Sequence, residues 1–85
     1  MITVRFLSGL ERRLGLSEKQ YIYEGPTPVS FRSLCEKLHI HGLESIKKPL
    51  LINCIGETFT LDEALSKLEI PDRERVIIFM INGGG

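Results

Sequence analysis

Ile2, Val4 and Phe6 alternate with Thr3 and Arg5, the period-two pattern of a strand with one buried face. Between Ser8 and Ser17, Leu10 and Leu14 share one side of a possible helical turn, and Gly15 is placed to stop it. Tyr21-Ile22-Tyr23 is a run of strand formers closed by the breaker Glu24-Gly25-Pro26. The first two strands are therefore expected to be antiparallel neighbours. Phe31, Leu34, Cys35 and Leu38 recur at i, i+3, i+4 and i+7, which predicts the main helix with a single apolar stripe. Ser30 is the expected cap, with Val29 stapled onto Leu34. Thr27 as cap, with Pro28 at the first helical position, is the alternative. His39 to Pro49 reads as a polar, irregular connection.

Leu50 to Ile55 predicts a third strand that turns at Gly56-Glu57, with Thr58-Phe59 as a short return strand. Thr60-Leu61-Asp62-Glu63 is a capping box, and Leu61, Ala64, Leu65 and Leu68 form a helical stripe that Pro71 ends. Val76 to Ile81 is six consecutive apolar residues. Without alternation, such a run suits a strand covered on both faces and hence central in a sheet. At an edge it would invite aggregation. The element order predicts an α+β chain: a mixed sheet with its first and last strands parallel at the centre, one main helix and a short second helix. That is the β-grasp arrangement, here a domain over 1–81 followed by a flexible tail over 82–85.

Composition narrows the function. An 85-residue chain has room for one domain. With 42% hydrophobic residues it can build a core without staples, and stability of about 4–13 kcal/mol is expected. Eleven basic and eleven acidic residues cancel, which removes the charge attraction that nucleic-acid binding needs. No apolar run approaches the ~20 residues of a membrane span, and the amino terminus does not read as a signal peptide. Two cysteines make no disulfide framework and read as reduced thiols of a cytoplasmic protein. Cys35 and Cys54 are expected in the core, and an iron–sulfur cluster would need four thiolates. His39 and His41 make an incomplete metal set, so no metal is expected. Arg12-Arg13 and Lys47-Lys48 read as solvated pairs. No nucleophile–base motif or phosphate loop is present, so an enzyme acting alone is not expected.

The chain closes on Asn82-Gly83-Gly84-Gly85. With Gly at ~7% of residues, three in succession at a chosen place arise by chance about three or four times in ten thousand. An expression remnant or a loose chain end would give the same letters. As a functional element, four extended residues reach ~13–14 Å, and without Cβ atoms they pass where side chains cannot. A terminal carboxylate is unreactive until activated, for example as an acyl-adenylate made with ATP.

A β-grasp chain ending in Gly84-Gly85 resembles the ubiquitin-like sulfur carriers, which include the molybdopterin synthase small subunit and the thiamine sulfur carrier. Met1 to Leu7 with Leu14-Gly15, Val29 to Leu34, and Ile52-Asn53 are similar to the molybdopterin branch. Asp72-Arg73-Glu74-Arg75 and Met80-Ile81-Asn82 depart from that branch, and Gly83 is nearer the thiamine carriers. The resemblance implies a protein that is not itself an enzyme and binds no cofactor. Gly85 would carry the adenylate and then the thiocarboxylate, with Gly83 and Gly84 threading the partner. The partners implied are an adenylating enzyme of the ubiquitin-activating type, which uses ATP, and an acceptor synthase subunit in cofactor biosynthesis. Phe59 and Met80 are candidate apolar contacts beside the tail, with core burial as the other possibility. A modifier joined to lysines, and a plain β-grasp interaction module, remain the alternatives.

Overall fold

The computed structural model describes residues 1–81. Its strands are β1 (Ile2–Phe6), β2 (Gln20–Tyr23), β3 (Val29–Ser30), β4 (Leu50–Cys54), β5 (Glu57–Thr60), β6 (Glu69–Ile70) and β7 (Arg75–Met80). Three helices, α1 (Leu10–Arg13), α2 (Phe31–Lys37) and α3 (Leu61–Lys67), lie between them. Five strands form one mixed sheet in the order β2-β1-β7-β4-β5. Among the described residues only the β1–β7 pair is parallel, with Val4 opposite Val76 and Phe6 opposite Ile78. The last strand is thus the middle of the sheet, and the β-grasp layout stands.

Helix boundaries follow local chemistry. The Ser33 amide donates to Ser30 Oγ at 3.1 Å, so Ser30 is the cap of α2. The box at α3 is closed in both directions: the Glu63 amide donates to Thr60 Oγ1 at 3.2 Å, and the Thr60 amide donates to Glu63 Oε1 at 2.9 Å. At seven residues each, α2 and α3 are equal in length, so no single helix dominates. The first helix is one turn, with Leu10 buried and Gly15 at φ 73° behind it.

A single core holds Ile2, Val4 and Phe6 of β1, Ile52 and Cys54 of β4, and Val76, Ile78 and Met80 of β7. Phe31, Leu34 and Ala64 of the helices complete it. One reading of the sequence needs correction. The connection from His39 to Pro49 is not simply a polar linker, because Ile40 and Leu43 are buried in the core and a 3-10 turn forms over Leu43–Ser45. In addition, Val29–Ser30 and Glu69–Ile70 pair as a small second sheet, with Val29 opposite Ile70. It ties the start of α2 to the chain leaving α3.

Candidate functional site

The central strand is buried on one face alone. Val76, Ile78 and Met80 point into the core, whereas Ile77 and Phe79 are half-buried on the other side. The expectation that both faces would be covered is therefore corrected: an apolar run looks the same whether its second face is covered by its own chain or left open. Register places Leu51 opposite Phe79, and Asn53 opposite Ile77, on this open face. Leu7 follows Phe6 beside Phe79, is 38% exposed, and donates its amide to the Ile78 carbonyl at 3.0 Å. Ile81 extends the apolar stripe at 40% exposure.

The charges on that face have one sign. Arg5 and Arg75 stand on it at positions set by the Thr3–Arg75 and Arg5–Ile77 pairs. The remaining strand positions of the face are Thr3, Gln20, Ile22, Asn53, Thr58 and Thr60. No carboxylate is among them. Asn53 Nδ2 donates to Thr58 Oγ1 at 3.3 Å across β4 and β5.

At the exit of β7, the Ile81 amide donates to the Pro49 carbonyl at 3.0 Å. Beside it is an open groove of about 400 Å³ whose apolar lining includes Leu43, Ile46, Leu50, Leu61 and Ile81. Lys47 and Lys48 border it, opposed by Glu44 and Asp62.

The residues singled out from the sequence separate into distinct places. Gly83, Gly84 and Gly85 lie outside the described residues. Met80 is in the core at 7% exposure, so it is not an apolar contact on the surface. Phe59 pairs with Ile52 on the core face and packs half-buried against the core. Strand register explains both, because Met80 and Phe59 have the parity of core-facing neighbours. The apolar surface nearest the exit is instead Leu7, Leu51, Ile77, Phe79 and Ile81. The unbroken apolar run was its signal in the sequence, but which alternate residues stay open is set by register.

The other chemistry-bearing groups are quiet. Cys35 and Cys54 are buried free thiols. Burial pushes the Cys35 thiol up to about 12, with Arg32 opposing and Glu36 assisting. Burial also pushes Cys54 up to about 11, helped by the Glu74 carboxylate and opposed by the Ile55 amide. Neither is a thiolate nucleophile near neutral pH. His39 and His41 meet edge-on, with ring centroids 6.3 Å apart. Among the described residues, no group of three or more His, Cys, Asp or Glu side chains could hold a metal ion. No described helix is long and apolar enough to cross a membrane. A scan against models of known protein families, and searches of curated proteins and of solved structures, return no match to this chain.

Proposed function

We propose that this chain is a ubiquitin-like sulfur carrier of the cytoplasm, with the Gly85 carboxylate as the group that bears the cargo. The observation that carries the reading is the placement of β7: the middle strand of the sheet runs straight into Asn82-Gly83-Gly84-Gly85. Both neighbours of β7 hold it by hydrogen bonds, so the base of the glycine segment is fixed to the most buried part of the fold. Gly residues give the backbone close approach to a nucleotide without side-chain interference.

The chemistry requires two steps, both in a partner's active site. The Gly85 carboxylate attacks the α-phosphorus of ATP and releases pyrophosphate, forming an acyl-adenylate. Hydrosulfide then attacks the acyl carbon and expels AMP, leaving a thiocarboxylate and a proton. Cofactor biosynthesis, with molybdopterin favoured over thiamine, is the proposed destination of that sulfur. The open sheet face is the docking surface in this reading. Its apolar stripe from Leu7 through Phe79 and Leu51, flanked by Arg5 and Arg75, suits an apolar partner surface bordered by carboxylates.

Intact mass after incubation with an adenylating enzyme of the ubiquitin-activating type, ATP and a sulfide source tests the proposal. Exchange of one oxygen for sulfur at the terminus is the expected result. An unchanged mass, with the enzyme active on another carrier, refutes it. Adducts between Gly85 and lysines of other proteins would move the assignment to a protein modifier.

A further inference from the structure

Ile55 opens the two-residue connection between β4 and β5 with φ of 48°, and Gly56 follows at 74°. Successive left-handed residues are the geometry of a type I′ turn, whose first position is normally Asn, Asp or Gly. A β-branched residue there is a backbone outlier. Ile55 is also 41% exposed, and it belongs neither to the core nor to the half-buried residues packed on it. The hydrogen bond that its amide donates to Glu74 Oε1 would be made by any residue but proline. Two local preferences are thus broken at one position. Outliers that the fold itself does not require concentrate at functional sites.

The register gives this outlier a place. Leu51 lies opposite Phe79 and Asn53 opposite Ile77, so the same count sets Ile55 level with Arg75. Ile55 therefore stands at the end of the open sheet face farthest from Ile81. From Arg75 to Ile81 the strand direction covers ~20 Å at ~3.3 Å per residue. A standard interface takes ~800 Å² of each partner, a patch roughly 30 Å across. A partner centred on Ile77 and Phe79 reaches Ile55 as well.

We propose that Ile55 is a specificity-determining contact of the open face, entering an apolar socket on the adenylating partner, with a partner carboxylate beside it for Arg75. The turn holds isoleucine where its own backbone favours asparagine, because the partner and not the fold uses the side chain. This inference deepens the sulfur-carrier reading and rests on it.

The test uses the full chain as wild type, Ile55→Asn and Ile55→Val, with an adenylating enzyme of the ubiquitin-activating type that is active on another carrier. Calorimetric titration without ATP measures docking, pyrophosphate release with ATP measures activation, and urea unfolding measures stability. Ile55→Asn should dock about five- to thirtyfold more weakly, the loss expected of an interface anchor, with kcat unchanged. Its unfolding midpoint should be no lower than that of wild type. Ile55→Val, which keeps an apolar side chain, should lose about two- to fivefold. A merely structural residue would move docking and stability together. Docking of Ile55→Asn within about twofold of wild type overturns the proposal, as does an equal loss in Ile55→Val. A lowered midpoint for Ile55→Asn also overturns it, because the turn would then keep isoleucine for stability. A wild-type chain that docks through Ile55 yet is not adenylated refutes the carrier reading and leaves the contact standing. A chain that does not dock overturns both.

Discussion

Replacing Ile55 by Asn should stabilise this protein, although it trades a hydrophobic residue for a polar one. Ile55 and Gly56 connect β4 to β5 with φ of 48° and 74°, the double left-handed geometry of a type I′ hairpin turn. An L residue in that region costs ~1–2 kcal/mol, and a branched side chain fits it poorly. Asn adopts it readily. Ile55 is 41% exposed, so its removal forfeits roughly 1 kcal/mol of burial. The Ile55 amide donates to Glu74 Oε1 at 3.0 Å, and this backbone donor survives the change. The balance is a gain of up to about 1 kcal/mol, or a melting temperature up to about 8 °C higher for a domain of this size. Gly56→Ala is the matching control. A Cβ there meets nothing within 4 Å, so its cost of about 1 kcal/mol is conformational alone. Urea unfolding followed by circular dichroism measures both variants against wild type. A lower midpoint for Ile55→Asn at unchanged m refutes the reasoning, because it would mean that the exposed isoleucine contributes more by contact than its backbone costs.

Three further outcomes follow from the structure. Thr60→Ala opens the capping box of α3 and should cost about 0.5–2 kcal/mol in urea unfolding, whereas Thr60→Ser should largely restore it. Hydrogen bonds that the Glu63 carboxylate accepts from the Thr60 amide and the Thr60 side chain hold it below the usual carboxylate range, and the Met1 ammonium does the same for Asp72. A depressed folded pKa gives stabilisation that is present above the unfolded value and lost as pH falls through the folded one. Glu63→Gln and Asp72→Asn should therefore each flatten the acid limb of the stability–pH curve, and curves parallel to wild type would contradict the assignment. Cys35 and Cys54, with pKa values pushed up to about 12 and about 11 by burial, should both be silent to a disulfide reagent near pH 8 in the folded chain. Two thiols should then titrate in denaturant, and rapid reaction of either in the native state would count against its placement.

Local patterns in the chain were enough to specify much of this molecule. The alternation of Ile2, Val4 and Phe6, the Ser30 and Thr60 caps and the apolar run of β7 each act within a few residues, so strand, helix and centre were legible before any tertiary contact. Other features depended on pairing between distant segments. The β3–β6 sheet is made of two-residue strands that carry no periodicity of their own, and it exists only because Val29 and Ile70 meet. Ile40 and Leu43 sit in a polar stretch, and only the close packing of that loop reveals them as core. Phe59 and Met80 were placed by register, which sets side-chain parity for a whole strand at once. By itself the amino-acid sequence determined that a central apolar strand leads into Asn82-Gly83-Gly84-Gly85. Tertiary structure decided which side of that strand stays open, because the buried faces of α2 and α3 join the core on one side of the sheet and leave Leu51, Ile77 and Phe79 for something else to cover.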